Sequence, residues 1–304
     1  AAEIMLADQK YAEAAKWFAK APKTQLDETA YYQYIVAEFY SGNAKNALEV
    51  ARHGLQKYAG SEYLSRLAVM AAGGQNQFPE ALTYSENVMR GKEQKNYNDY
   101  YYYGQALAGN DKFQEAINAY NKCLELKPGE VDPLSKLSAA YAGLGDGDKA
   151  LDFQRQYLEK GTNITSTDWA NFAGIYIKMG DQVDSLDHAK AVGYYTQAMD
   201  VYEKMTEKFP TLKDWCWVAE ASVALGKLKD LDKVRDLYMK VAEYEEAKAD
   251  KSDANTKNYL VAAYYFLGYY YAGKNDAETS KSYFEKLIQI DPENAEAKKA
   301  LGLE

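Results

Sequence analysis

YYYYGQALAGNDKFQEAINAYNKCLELKP, residues Tyr100–Pro128, is one complete copy of a unit that recurs in degraded form along the whole chain. At helical spacing Tyr100, Tyr103, Gly104 and Leu107 share one face, and Phe113, Ala116, Tyr120 and Cys123 share another on a second segment. The turn Gly109-Asn110-Asp111 separates the two. Helices joined so tightly fold back to back, with glycine and alanine where their backbones must approach. The apolar faces of one such hairpin are too large to bury alone, so neighbouring copies have to cover them.

Working outward, the small residue three or four positions before an aromatic in each second helix serves as a marker. The markers are Ala14, Ala47, Ala81, Ala116, Ala150, Ala198, Val234 and Ser280, and by subtraction they lie 33, 34, 35, 34, 48, 36 and 46 apart. A period near 34 therefore runs through the first five and is interrupted twice by about a dozen residues, which selects one repeat class from those of known length. Pro128-Gly129, Phe209-Pro210 and Asp291-Pro292 are placed to end second helices, because the residue before proline is pushed out of helical geometry. Asn110-Asp111, Gly145-Asp146-Gly147-Asp148 and Gly180-Asp181 read as turns with N-cap chemistry. The first insertion, Gln182 to Val192, reads as a lengthened second helix, since Leu186, Ala189, Val192 and Gly193 keep helical spacing into Tyr194-Tyr195. Tyr31 to Phe39 fits two registers a residue apart, and a charged tail, Glu243 to Asp253, follows the seventh copy.

This pattern resembles the tetratricopeptide repeat (TPR), a pair of antiparallel helices with aromatic, Leu-Gly and Tyr positions in the first and Ala, aromatic and Pro in the second. Tyr100, Tyr103-Gly104, Leu107, Ala116, Tyr120 and Pro128 fit it, as do Tyr264, Leu267-Gly268, Tyr271, Phe284, Leu287 and Pro292, departing at Ser280. The copy with Leu137, Tyr141, Gly145 and Ala150 carries Ser138 where the glycine belongs, and Trp169, Phe172, Ala173, Tyr176, Ala198, Tyr202, Met205 and Pro210 mark another. The resemblance covers essentially the whole chain. It implies an all-α fold, a right-handed α-α superhelix of about eight helix-turn-helix repeats, with lengthened late repeats and a short capping helix over Ala295 to Leu301. One solenoid is expected over 1–304, with regular repeats to about 162, extended ones over 163–256 and the last repeat and cap over 257–304. The tyrosine-heavy ending is similar to bacterial cell-envelope TPR proteins, which implies a periplasmic or envelope location, with the cytoplasm as the alternative.

The net charge of −9 over 304 residues argues against nucleic acid or an anionic membrane as the main partner. No apolar run is long enough to span a bilayer; the nearest is Tyr264 to Ala272. Ile4, Met5 and Leu6 read as the end of a first helix whose start is missing, the expectation being a chain trimmed from a longer precursor. Cys123 and Cys216 are about three repeats apart, and no disulfide between them is expected.

Sequence motifs for catalysis, cofactors and metals are absent: there is no HExxH, nucleophile elbow, phosphate loop or dinucleotide fingerprint, and no cofactor or metal is expected. His53 has no ligand-spaced partners, and Asp184 and His188, four apart, read as a helical ion pair. Gly145-Asp146-Gly147-Asp148 lacks the donor spacing of an EF-hand. A non-enzymatic scaffold for a protein or peptide segment is the expected function, on the strength of the resemblance.

The 29 tyrosines supply the candidate binding residues. Tyr100, Tyr103, Tyr264 and Tyr271 are expected between repeats, whereas Tyr101 and Tyr265 lie one residue past the buried stripe. In the resemblance first helices line a concave groove. The groove set is then Tyr63, Arg66, Met70, Tyr101, Gln105, Lys178, Lys213, Glu220, Tyr265 and Tyr269, with Ser135, Ala139, Ala170, Gly174 and Cys216 at the same offset. These rings either anchor a ligand or fill the groove against each other, and a carbohydrate-stacking role is the alternative function. Some TPR proteins clamp a chaperone's carboxylate tail with groove lysines and asparagines. Tyr101, Gln105, Ser135 and Ala139 stand there instead, so that partner class is not expected.

Overall fold

The computed structural model describes residues 2–248 and 253–303, so part of the charged tail read over Glu243 to Asp253 lies outside the described residues. Two compact units divide the chain, Ala1–Lys160 and Gly161–Glu304, close to where the regular spacing of the markers ends. In the first unit hairpins form from α1 (Ala2–Ala7) and α2 (Tyr11–Phe18), α3 (Glu28–Tyr40) and α4 (Ala44–Lys57), and α5 (Glu62–Gly73) and α6 (Phe78–Arg90). Two more follow from α7 (Tyr97–Ala108) and α8 (Phe113–Leu126), and α9 (Asp132–Leu144) and α10 (Gly147–Lys160). The second unit pairs α11 (Ser166–Val183) with α12 (His188–Lys208), α13 (Lys213–Val223) with α14 (Leu231–Glu246), and α15 (Ala254–Gly273) with α16 (Ala277–Ile290). It ends in the expected cap, α17 (Ala295–Leu301), started by Asn294 accepting from the Ala297 amide and stopped by Gly302. The fold is an all-α TPR solenoid, with eight hairpins and no strand among the described residues.

Every marker lies in a second helix and is buried, seven of them to within 1 % of full burial and Ser280 at 7 %. The reason is steric, because a larger residue there would hold the paired helices apart. At Gly104 and Gly268 an added Cβ would come within 2.7 Å of Tyr120 and 2.8 Å of Phe284, which explains why glycine in the first helix goes with an aromatic ring in the second. The two departures from the pattern are hydrogen-bonded. Ser138, standing for the glycine, donates its Oγ–H to the carbonyl of marker Ala150 at 2.8 Å, and Ser280, standing for the alanine, donates to the carbonyl of Gly268 at 2.9 Å. Each hydroxyl is thus satisfied across its own hairpin, as a buried polar group has to be.

The hairpin turns repeat a backbone feature. Gln9, Gly42, Asn76, Asp111, Gly145, Lys229 and Asn275 have positive φ, and each stands five residues before its marker (14 − 9, 47 − 42 and so on). The sixth hairpin has no such residue. There the insertion extends both helices: α11 runs to Val183 and the turn falls before Asp187, whose side chain caps α12 by accepting from the Lys190 amide. Gly180-Asp181 is therefore helix interior, correcting the turn expected there. Elsewhere glycine fills the left-handed position only twice, and a lysine fills it at Lys229 (φ 57). A side chain in this region crowds its own carbonyl. Lys229→Gly is expected to stabilise the second unit by about 0.5–1 kcal/mol, read as a higher urea midpoint with an unchanged m value.

Core packing also settles the register of α3: Tyr31, Tyr34, Ile35 and Glu38 point inward. In the first unit one continuous cluster runs from Ala14 and Phe18 through Ile35, Leu48, Leu64 and Leu107 to Leu137 and Ala140. In the second, Val241, Leu260, Tyr264, Phe284, Leu287 and Ala297 form a cluster across α14 to α17.

Candidate functional site

In the first unit the first helices α3, α5 and α7 touch in succession, so residues on their common side face one surface. Two concavities open there. A cleft of about 410 Å³ is lined by Glu28, Thr29, Tyr32 and Tyr63, and both rings are exposed, Tyr32 at 40 % and Tyr63 at 53 %. Next to it a cavity of about 130 Å³ lies between α5, α6 and α7, lined by Val69, Met70, Ser85, Val88, Asn98 and Tyr102, with Arg66, Asn96 and Asp99 at its polar wall. Arg66 links the two, its guanidinium 5.9 Å from the Tyr63 ring centroid.

Arg66 is held firmly. Its Nε donates to Asp99 Oδ1 at 2.8 Å and its Nη2 to Asp99 Oδ2 at 3.2 Å, while Glu62 Oε2 stands 3.9 Å away. Asp99 also accepts the Asn96 amide in the capping box that starts α7. The Asp99 hydrogen bond, against the opposing effect of burial, keeps the guanidinium charged beyond even its usual range. Glu62 is occupied as well. It accepts from Lys95 Nζ and the Lys92 and Glu93 amides, and the Lys95 bond holds its carboxyl below the usual value.

The sequence-derived groove set divides between the units. In the first, Tyr63, Arg66 and Met70 come together around the two concavities. Tyr101 does not face out freely: it stacks on Tyr97, meets Tyr120 edge-on and packs against the core, and burial pushes its hydroxyl up to about 12. Tyr102 faces the cavity instead, and Tyr103 packs against the core as expected while Tyr100 does not join that cluster. The assignment of the four tyrosines is corrected accordingly. The commitment of Asp99 to Arg66 turns that side of α7, and with it Tyr102 three residues on, toward α5. Gln105 is half-buried on the same helix.

In the second unit Lys178 is exposed and Lys213 half-buried, but Glu220 and Cys216 are buried, Glu220 in an ion pair with Lys233 at 2.9 Å. Burial, only partly offset by Lys233, raises the Glu220 carboxyl. Neither is a groove-surface residue. Helix α13 is turned so that Trp215 is exposed while Cys216 and Glu220 are buried, and it passes into π-helix over Ala224–Leu228. Tyr265 and Tyr269 are exposed at 40 % and 41 %. Their rings are tilted 57° to one another; Tyr269 meets Phe284 edge-on and donates its O–H to Glu296 of α17 at 2.7 Å.

Tyr32, Glu28 and Thr29 were missed by the sequence reading. Tyr32 is 15 residues before marker Ala47, the offset at which Arg66, Tyr101 and Tyr265 precede theirs, but the register of α3 was open.

Other reactive groups are committed or exposed. His53 lies on the surface, and His188 pairs with Asp184 at 2.6 Å as its spacing suggested. Both cysteines are free and buried, which pushes Cys123 up to about 12 and Cys216 up to about 11. A buried ionic cluster joins Asp214 of α13, Glu245 of α14 and Lys248, where Lys248 Nζ donates to Asp214 Oδ2 at 3.0 Å and Glu245 Oε1 at 2.8 Å. Asp214 Oδ1 also accepts the Trp215 amide at 2.8 Å. This cluster joins helices and opens to neither concavity. Among the described residues no group of three or more acidic, histidine or cysteine side chains could hold a metal ion, and no helix is long and apolar enough to cross a membrane.

Paired helices at a fixed period, with a side of exposed tyrosines over small concavities, define a helical-repeat protein. The repeats are tetratricopeptide repeats: family models of that description match residues 97–130 and 261–294. The fold is similar to the C-terminal part of a TPR repeat-containing protein from Cytophaga hutchinsonii, at 19 % identity over 89 % of this chain and 99 % of that one, with a TM-score of 0.63. It is also similar to a tetratricopeptide repeat protein from Parabacteroides merdae, at 14 % identity over 91 % and 98 % and a TM-score of 0.52. No curated protein matches the chain in sequence.

Proposed function

We propose that the chain is a protein-interaction scaffold, acting by binding rather than catalysis, and that it holds a peptide or protein segment on the surface formed by α3, α5 and α7. The observation that carries this reading is the pair of concavities. An apolar floor of Val69, Met70 and Val88 beside exposed Tyr32 and Tyr63 offers a pocket for one side chain and a flank for the next. Tyrosine rings bury contact area at small entropic cost. The net charge of −9 favours a protein partner over nucleic acid. A carbohydrate platform is less well supported, because the exposed pair Tyr265 and Tyr269 is tilted by 57° and presents no flat stack.

Peptide-array screening followed by titration of the hits tests the proposal. Met70→Glu, which puts a charge at the cavity, is expected to weaken a binding peptide by about ten-fold or more while leaving the circular dichroism unchanged. Binding on a glycan panel with none on the array would sink it. An envelope location is proposed from the family likeness alone, and fractionation of cells carrying the full-length protein checks it.

A further inference from the structure

We infer that the cleft between Tyr32 and Tyr63 is a site for a cationic side chain, lysine or arginine, of the segment that the scaffold holds. The inference rests on the groove reading above and adds the chemistry of the partner. It begins with an imbalance of partners. Among the glutamates of α3 to α6, Glu38 is bonded by Asn43 and Asn46, Glu49 and Glu80 by Arg52, Glu62 by Lys95, and Glu86 pairs with Arg90. Glu28 alone among them has no hydrogen-bond or ion-pair partner among the described residues, and it lines the cleft. Asp27, not Glu28, caps α3 by accepting the Ala30 amide, so the Glu28 carboxylate is left for a ligand.

The two rings supply the rest of a cation site. Tyr32 and Tyr63 line the same cleft, and a tyrosine face attracts a cation within about 6 Å of its centroid. The cation already near Tyr63, Arg66, is neutralised by Asp99 and Glu62. The chain itself holds a lysine in such a trio elsewhere. Lys286 Nζ lies 5.4 Å from the Tyr264 ring centroid, 5.7 Å from that of Tyr283 and 2.9 Å from Glu246. Two tyrosines and a glutamate therefore take a lysine ammonium from within the chain at one place. At the other the same three residue types surround a cleft with room for one from outside.

The probe is Nα-acetyl-lysine methylamide, titrated into isotopically labelled protein and followed by NMR, with Nα-acetyl-norleucine methylamide as the uncharged isostere. Saturable shifts at Thr29, Tyr32 and Tyr63 are expected with the lysine derivative in the millimolar range and not with norleucine. Glu28→Gln and Tyr32→Leu should each weaken the site at least about five-fold, whereas Glu159→Gln, which removes an equal charge from the exposed surface of α10, should not. Equal shifts with both probes, no shifts with either, or an effect of E159Q as large as that of E28Q would overturn the inference. The two readings fail separately. Array peptides that lose affinity in Met70→Glu but show no cationic preference would leave the groove and remove the cation site. A cation site without any array binding would do the reverse.

Discussion

Lys248→Met is expected to destabilise the second unit by about 3 kcal/mol at pH 7, because it leaves two buried carboxyls without their cation. Side-chain exposure is 11 % for Asp214 and zero for Glu245, and Glu245 Oε2 makes no conventional hydrogen bond. Burial raises the Asp214 carboxyl, but its contact with the Glu245 side chain and hydrogen bonds from Lys248 and the Trp215 amide lower it further than burial raises it. An acid depressed in the fold stabilises it above the unfolded value, about 3.9, and that stabilisation is lost as pH falls through the lower folded value. Lys248 is pushed up to about 12 by the same two carboxyls against its own desolvation, so its share persists through neutral pH and is lost as pH rises through that value. Without Lys248 burial weighs more heavily on Asp214, and its carboxyl takes up a proton sooner. The deficit of the variant should therefore be largest near pH 7 and shrink toward pH 4. Urea unfolding at the two pH values measures it; an equal deficit at both would mean that Lys248 acts through its methylenes and not its charge.

Gly180→Ala should cost about 2–3 kcal/mol, against a gain of about 0.5–1 kcal/mol for Gly174→Ala in the same helix. A Cβ at Gly180 would lie 2.4 Å from Tyr195 Cε1, whereas one at Gly174 would meet nothing within 4 Å. Tyr195 cannot yield easily. Its ring is fully buried and its O–H is held by Asp181 Oδ1 at 2.8 Å, which Lys227 Nζ also grips at 2.6 Å. Tyr195→Leu in the Gly180→Ala background should recover part of the loss, since contacting residues do not add independently. Thermal melts of the four proteins decide it, and a Gly180→Ala variant as stable as the parent would refute the close-packing argument.

Much of this molecule is legible in its sequence, for a physical reason. Burial at each marker demands a small side chain once per hairpin, so Ala14 to Ser280 gave the repeat count, and Pro128, Pro210 and Pro292 gave the helix ends. The capping helix was legible to the residue. What failed depended on helix rotation, which a single helix does not fix. Tyr101 and Tyr102 differ by 100° about the axis of α7, and the Arg66–Asp99 bond between neighbouring helices settles which of them faces the cavity. Gly180-Asp181 carried ordinary turn residues, yet the glycine serves the approach of Tyr195 instead. The left-handed residue was hidden at Gln9 and Lys229, which are not the residues that usually announce it. That Tyr63, Arg66 and Met70 lie near one another was legible, and that Tyr32 and Glu28 border the same cleft as Tyr63 was not, since α3 offered two registers.

Within each unit the helices touch mainly those beside them in sequence, and this sets how the protein gives way under load. Local contacts close quickly in folding and open in the same short steps. Helix α17 is backed by α16 and meets the core there through Ala297 and the half-buried Leu301, so amide exchange in the second unit should be fastest in α17 and slow progressively toward Leu267 and Leu237. Pulled from its last helix, that unit should yield as a staircase of hairpin-sized extensions rather than one rupture, each step releasing a pair of helices that had been sheltering the next.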